Sequence, residues 1–182
     1  MKPIKNFESV QASSGEFARP LAGGYVCKII NVIDVPVNPE TGKGDYLKIE
    51  YDIAEGDFMG YYKALVDRFG GTWSANTMRS YKENAVGMFK HFINCVEKSN
   101  KNYGWDWNES SLIGKTVGFV LGEEEYENTQ GQIKSRLVVK QVKTADEIRR
   151  GEFKIPAPKK LESSSRSAVV PTPTIAEDDL PF

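Results

Sequence analysis

Positively charged side chains recur at alternating positions in one segment of this chain. Between residues 132 and 142, Lys134, Arg136 and Lys140 fall on one face of a β-strand, because successive side chains of a strand point to opposite faces. Two other segments place aromatic rings beside a cation: Tyr46 near Lys48, and Tyr61 and Tyr62 before Lys63. Cations neutralise phosphates, and aromatic rings stack on exposed bases. This combination is typical of a surface that binds unpaired nucleic acid.

These side chains also fit ordinary structural roles. A tyrosine commonly packs in a core or at its rim, and a row of lysines along a strand is also a solvated face. Glu50 shares the strand face of Lys48 and disfavours phosphate there unless its carboxylate pairs with a basic side chain. On a strand, Tyr61 and Tyr62 point oppositely, so at most one of them stacks on a base. Two more lysines complete the candidate nucleic-acid-binding set: Lys28 in the first strand and Lys43 in the first loop.

A different chemistry ends the chain. The last five residues are two acids, an aliphatic residue, a proline and a terminal aromatic residue: Asp178, Asp179, Leu180, Pro181 and Phe182. The carboxylates present negative charge to a basic rim, Phe182 can fill an apolar pocket, and Pro181 limits the conformations lost on docking. This ending resembles the acidic C-terminal tip of bacterial single-stranded DNA-binding proteins, with Leu180 where isoleucine is commoner.

The resemblance implies one role for the folded domain and another for the C-terminal tip. It implies that the folded domain coats single-stranded DNA, and that residues 178–182 bind DNA-maintenance proteins such as helicases, primases, nucleases or recombination mediators. The N-terminal strand motif usual in housekeeping bacterial members is not recognisable here. The chain therefore resembles a divergent form of the kind carried by bacteriophages or mobile elements.

The predicted elements place these residues on a β-barrel. Strands are predicted at 25–35, 46–53 and 58–66, a helix from 81 to about 99, and strands at 112–121 and 132–142, the last two joined by a hairpin. In the second strand, period two places Leu47, Ile49, Tyr51 and Ile53 on the core and the residues between them, up to Asp52, toward solvent or ligand. Ser80 with Glu83 predicts a capping box for the helix, and Thr144 caps a short helix ending near 150. This order is that of an OB-fold, a mainly β, five-stranded Greek-key barrel with a helix between strands 3 and 4.

Composition divides the chain into three parts. We predict an N-terminal arm at 1–22, the OB-fold domain at 23–155, and a disordered tether at 156–182, which is rich in Pro and Ser and carries the acidic tip. Residues 167–182 hold three acids and no Lys or Arg, so the remainder carries 24 bases against 22 acids. Because this excess of basic residues is small, a DNA-binding surface must gather its Lys and Arg side chains on one face.

The chain offers little for catalysis. His91 is the one histidine, no Cys/His cluster fits zinc, and no Gly-rich loop ends in Lys-Ser or Lys-Thr to hold ATP phosphates. Glu123, Glu124 and Glu125 are consecutive in the expected hairpin, where adjacent carboxylates diverge rather than share a metal. We therefore expect no enzyme activity, no catalytic residue, no metal and no cofactor.

Two cysteines and the absence of long apolar runs bear on location. Cys27 and Cys95 fall in apolar patterns and are expected to be buried thiols. No run approaches the roughly 20 apolar residues that span a membrane, and the N-terminus lacks the pattern of a signal peptide. A cytoplasmic, nucleoid-associated protein is expected, with a homo-oligomer left open.

Three functions stay open on this basis, and a nuclease-like accessory enzyme has the least support of the three. The first is a single-stranded DNA-binding protein with little sequence preference, acting in replication, recombination or repair. The alternative is an OB-fold-like adaptor that recruits proteins through its tail and binds no nucleic acid, which the near-neutral charge favours. For Trp105 and Trp107, core packing or a subunit contact is favoured over DNA stacking, because Asp106 between them repels phosphate.

Deleting residues 177–182 tests whether the tip competes with DNA for the basic face. The truncated protein should bind oligo(dT) more tightly than the full chain at low salt and equally at high salt, because screening weakens the contacts of an exposed acidic segment. Fluorescence anisotropy titrations at both salt concentrations measure the difference. Equal affinities of the two proteins at low salt would contradict the competition.

Overall fold

A five-stranded antiparallel sheet is the main element of the computed structural model of the protein, which describes residues 18–161. The spatial order is β3-β2-β1-β4-β5, and the strands are β1 (Gly23–Val35), β2 (Tyr46–Ile53), β3 (Asn76–Ser80), β4 (Thr116–Glu127) and β5 (Ile133–Lys143). The helices are α1 (Tyr61–Phe69), α2 (Val86–Ser99) and α3 (Ala145–Arg149). The fold is thus mainly β, with a helix between β3 and β4 as predicted. Most of the predicted arm and tether, including tip residues 178–182, lies outside the described residues.

One face of the sheet builds the core. All four alternating apolar residues of β2 are buried, which confirms the pattern read from the sequence: Leu47, Ile49, Tyr51 and Ile53. They pack against fully buried side chains of α2 and β4, which include Phe92, Val96, Phe119 and Leu121. Each such burial stabilises the fold by about 1.5–3 kcal/mol. The free thiols of Cys27 and Cys95 are buried in the same cluster, as expected.

The short helix α3 covers part of the other face. It forms a second buried cluster with the sheet: Val26, Val120, Ala145 and Ile148. A Cβ on Gly118 of β4 would lie 2.5 Å from Ile148 Cγ1, so this close approach requires glycine. Thr144 caps the helix as predicted, since its Oγ1 accepts a hydrogen bond from Glu147 N at 3.2 Å.

The prediction of a third strand at 58–66 is wrong. Residues Tyr61–Phe69 form α1 instead, and the third strand is Asn76–Ser80. The apolar residues at 61, 62, 65 and 66 are spaced for one face of a helix, although their ring-rich composition favours a strand. The true β3 has only five, mostly polar residues and no apolar alternation, so it resembles a loop in sequence.

The start of α2 and both ends of β4 also differ from the prediction, since β4 begins at Thr116 rather than at residue 112, which ends a short 3-10 helix. Ser80 is the last residue of β3, and its hydroxyl accepts a hydrogen bond from Lys82 N at 3.2 Å. Helix α2 begins only at Val86, and no side chain caps its first turn, so the predicted capping box is absent. The end of α2 at Ser99 agrees with the prediction. Strand β4 continues to Glu127, so residues 123–125 lie in a strand rather than in the hairpin connection. Residues 159–161 run beside this extension, where Lys159 N donates to Glu123 O at 3.0 Å.

A buried carboxylate joins β2 to α1. Gly60, which precedes α1, has a left-handed backbone (φ 71°) and offers no side chain to cap the helix. Asp52, predicted to face solvent or ligand, is instead only 6% exposed and supplies the cap from β2. Its two carboxylate oxygens accept hydrogen bonds from Tyr62 N at 3.0 Å and Lys63 N at 3.1 Å, and Oδ1 also accepts one from Ile53 N at 2.8 Å. The carboxylate therefore sets where α1 starts.

Replacing Asp52 with alanine should lower the free energy of unfolding by about 2 kcal/mol, because it leaves backbone N–H groups at a helix start without an acceptor. Urea denaturation followed by circular dichroism measures the change. Asp67→Ala is the matched control, since Asp67 lies exposed in the same helix and forms an ion pair with Lys63. Its effect should stay below about 1 kcal/mol. Equal destabilisation by the two substitutions would refute the capping role.

Candidate nucleic-acid interface

The two outer strands of the sheet face each other along a line that we call the β3–β5 seam. Strands β3 and β5 have Cα atoms within 8 Å of each other, yet they form no hydrogen-bonded ladder. Two clefts open beside this line, one under α1 and one under α2. The seam comprises these two clefts and the residues that line them.

The first cleft has a volume of about 460 Å³ and is lined by cations and rings. Arg136 comes from β5, Tyr126 from β4, and Tyr61 from α1, while Arg19 approaches from the segment before β1. Uncharged hydrogen-bonding groups, Ser74, Asn76 and Ser135, complete much of the polar lining. One acid, Glu123, also contributes. The cleft therefore offers positive charge and ring surfaces in one place.

Arg136 and Tyr126 form a cation–π pair. The guanidinium carbon of Arg136 lies 5.1 Å from the centroid of the Tyr126 ring. In the antiparallel register of β4 and β5, Tyr126 lies opposite Lys134 and Glu124 lies opposite Arg136. Arg136 is therefore a diagonal neighbour of Tyr126 on the same face, within reach of its ring. Since Arg136 is exposed, its charge is available to a ligand while the ring keeps its side chain oriented.

The adjacent tyrosines of α1 have different environments. Tyr62 is 8% exposed and packs edge-on against Tyr51, with ring centroids 5.9 Å apart, so it belongs to the core. Burial raises the pKa of the Tyr62 hydroxyl well above its usual range. Tyr61 is half-buried at the cleft; burial raises its pKa, while the nearby charge of Arg19 acts in the opposite direction. Of the two rings, Tyr61 is the one placed to meet a ligand.

The second cleft, of about 410 Å³, has a basic lining without an acid. Its charged and titratable residues are Arg79, His91, Lys140 and Lys143. Arg79 is largely buried, and burial lowers its pKa to about 10, so it stays protonated at neutral pH. Its guanidinium lies over the Phe92 ring at 5.3 Å, and Nη1 donates to Met78 O at 2.8 Å. Arg79 Nε is buried without an acceptor among the described residues.

Some cations of the seam already have acidic partners. Lys140 Nζ lies 3.2 Å from Glu124, and Lys159 Nζ lies 3.6 Å from the same carboxylate. The hydrogen bond from Lys140 lowers the pKa of Glu124. Lys143 pairs with Glu147 at 3.3 Å. These acids reduce the net positive charge of the seam without entering the second cleft.

The structure separates the predicted nucleic-acid-binding residues into two groups. Those that line the seam are Tyr61, Tyr62, Arg136 and Lys140. Those that line neither cleft are Lys28, Lys43, Tyr46, Lys48, Lys63 and Lys134, although Lys134 lies opposite Tyr126 on the strand face of Arg136. Lys48 is neutralised by Glu50 at 2.7 Å, and Lys63 pairs with Asp67.

Three cationic or aromatic lining residues were missed by sequence reasoning: Arg19, Tyr126 and Lys143. Tyr126 was placed in a hairpin connection, although its position two residues after Glu124 continues the alternation of β4. Lys143 continues the basic character of the fifth strand by one residue. Arg19 carries no local signal, because only tertiary packing brings it to the seam.

Within residues 18–161, no group of three or more His, Cys, Asp or Glu side chains is arranged to hold a metal ion. In the same range, no helix has the length and apolar character needed to cross a membrane. No protein-family model and no curated protein matches the chain.

Proposed function

We propose that the protein binds single-stranded DNA along the β3–β5 seam, with little sequence preference, during replication, recombination or repair. The lining of the seam carries this proposal. Five cations converge there from separate parts of the chain, with two accessible ring positions among them: Arg19, Arg79, Arg136, Lys140 and Lys143, with Tyr61 and Tyr126.

The chemistry of a single strand matches this lining. An unpaired strand offers phosphates to cations and base faces to aromatic rings, and stacking accepts every base because each has a π-face. Residues 135–143 of β5, which border both clefts, extend over about 27 Å at about 3.4 Å per residue. A polynucleotide lying along the seam would therefore meet ring surfaces in the first cleft and fixed positive charge in the second.

An OB-fold barrel is the architecture that best accounts for the seam. The strand order β3-β2-β1-β4-β5, the helix between β3 and β4, and the approach of β3 to β5 all support a sheet curled into a five-stranded Greek-key barrel. OB-folds commonly bind oligonucleotides, so the proposed fold and the proposed function agree.

Partner recruitment is the second half of the proposal. Tip residues 178–182, on their tether, would bind DNA-maintenance proteins in the cytoplasm, while the folded domain holds the strand. The resemblance of the tip to that of bacterial single-stranded DNA-binding proteins supports this division. Tethering keeps the bound partner near the coated strand, which raises its effective concentration there.

Arg136→Ala and Tyr126→Ala should each weaken binding to fluorescein-labelled oligo(dT). Loss of Arg136 should also reduce the slope of log affinity against log salt by about 0.7, the value for one phosphate contact on a single strand. Loss of the Tyr126 ring should cost at least about 1 kcal/mol, or about fivefold, with little change of slope. Fluorescence anisotropy at several salt concentrations measures both quantities.

Arg150→Ala is the matched control for the arginine change, because Arg150 is an exposed cation that pairs with Glu152 and lines neither cleft. It should leave affinity and slope unchanged. Equal binding of duplex DNA would overturn the preference for single strands. A full chain that ignores oligo(dT) at low salt would exclude DNA binding and favour the adaptor function.

Glu124→Gln should have the opposite effect on binding. Removing this carboxylate releases Lys140 and Lys159 from their ion pairs and takes one negative charge from beside Arg136. Affinity for oligo(dT) at low salt should rise by about twofold to fivefold, as expected for one exposed charge interaction. Glu152→Gln is the control, and an unchanged or lower affinity of the Glu124 variant would place the strand elsewhere.

A further inference from the structure

A second aromatic site lies apart from the seam. We call it the aromatic pocket; it has a volume of about 370 Å³ and lies between the ends of β1 and β3, the start of α2, and residues 105–109. Its lining includes four aromatic rings and two acids: Tyr81, Phe89, Trp105, Trp107, Asp34 and Glu109.

The four rings form a continuous wall. Successive centroids lie 5.8 Å apart from Tyr81 to Phe89, 6.5 Å from Phe89 to Trp105, and 6.2 Å from Trp105 to Trp107. The outermost ring, Trp107, is 83% exposed. Its backbone is left-handed (φ 65°), a conformation that is costly for a bulky residue. A large indole is thus held in solvent at the end of an aromatic wall.

Local hydrogen bonds hold this loop in place. Asp106 Oδ1 accepts hydrogen bonds from Asn108 N at 3.1 Å and Ser111 Oγ at 3.2 Å. Trp105 N donates to Glu97 Oε1 at 2.9 Å, which ties the loop to α2. The exposure of Trp107 is therefore built into an anchored loop.

The charge of the pocket is negative. Asp34 and Glu109 line it, and none of its lining residues is Lys, Arg or His. The Tyr81 hydroxyl donates to Asp34 Oδ1 at 2.9 Å. Burial, this hydrogen bond and the charges of Asp34, Glu109 and Asp45 raise the pKa of Tyr81. Phosphate is repelled by such a site, whereas a cation is attracted by both the carboxylates and the ring faces.

Trp105 adds a second requirement. Its indole Nε1–H is buried and has no acceptor among the described residues. A backbone carbonyl is a suitable acceptor for this donor. A cation to meet the rings and acids, and a carbonyl to meet the indole, are both present in a polypeptide that carries Lys or Arg.

We propose that the aromatic pocket binds a lysine- or arginine-bearing segment of a partner polypeptide. The cationic side chain lies against the ring wall beside Asp34 and Glu109, and its apolar stem contacts Val86 and Phe89. This contact is the chemical opposite of the acidic C-terminal tip, which requires a basic partner surface. It is also independent of DNA binding at the seam.

The probes are three acetylated, amidated tripeptides, Ala-Lys-Ala, Ala-Arg-Ala and Ala-norleucine-Ala, titrated into the ¹⁵N-labelled full chain. The three tryptophans each give an indole N–H signal in a ¹H–¹⁵N correlation spectrum, assigned with Trp→Phe variants. Trp73 is an internal reference, because its Nε1 donates to Tyr51 O at 3.0 Å away from the pocket. The Trp105 and Trp107 signals should shift and saturate with the lysine or arginine peptide, while the Trp73 signal stays fixed.

Norleucine has an apolar side chain without the ammonium group, so it should produce no saturable shift. Trp107→Ala, and the isosteric pair Asp34→Asn with Glu109→Gln, should each weaken binding of the cationic peptides at least about threefold. Glu83→Gln is the control for charge, because Glu83 lines no part of the pocket. Equal shifts with norleucine, equal shifts of Trp73, or no shift would overturn the proposal. A shift of Trp107 with oligo(dT) would assign the pocket to nucleic acid instead, whereas failure of oligo(dT) to bind anywhere would leave the proposal intact.

Discussion

A buried carboxylate determines how the chain leaves the sheet and returns to it. Asp52 belongs to β2, yet it accepts the backbone N–H groups that begin α1, a role that Gly60 cannot fill without a side chain. Because residues 61–69 are drawn into a helix, the chain pairs with β2 again only at Asn76–Ser80. The return is fixed where the Trp73 indole donates to Tyr51 O and Tyr51 N donates to Ala75 O at 3.1 Å.

This path leaves β3 short and places its outer edge opposite β5. Exposed strand edges invite pairing with other chains, and cations beside them discourage it. Edge protection alone would account for lysines on β5. It does not account for Arg136 held over Tyr126, for Arg19 reaching the same cleft, or for the largely buried Arg79 in a cleft without acids. A burial that lowers the pKa of an arginine costs stability, and a polyanionic ligand would offset that cost.

Features that depend on residues close in sequence could be predicted, whereas features that depend on contacts between distant residues could not. The alternation of β2, the end of α2 and the Thr144 cap depend on neighbours a few residues away, and all three were predicted correctly. The helix α1 depends on Asp52, nine residues before its first turn, so residue preferences there favoured a strand.

The candidate site divides in the same way. Arg136 and Lys140 could be found because they share a strand face with period two, whereas Arg19 reaches the seam only through tertiary packing. Lys48 satisfied the pattern, but the cross-strand and same-face contacts of Glu50 with Asn31 and Lys48 place that charge in an internal pair.

Opposite charges are separated by one helix. On α2, Met88 and His91 face the basic cleft, while Val86 and Phe89 face the acidic aromatic pocket. At the end of β3, Arg79 lines the basic cleft and Ser80 lines the aromatic pocket. The pocket holds the longest wall of rings described in either site, so without its carboxylates it would compete with the seam for unpaired bases. In the proposed function, the negative charge of Asp34 and Glu109 would keep phosphate out of the pocket. Specificity between the two surfaces would then come from unfavourable charge as much as from attraction. A net charge of −1 over the whole chain therefore does not mean that the surface is neutral, because basic and acidic residues are gathered in separate regions.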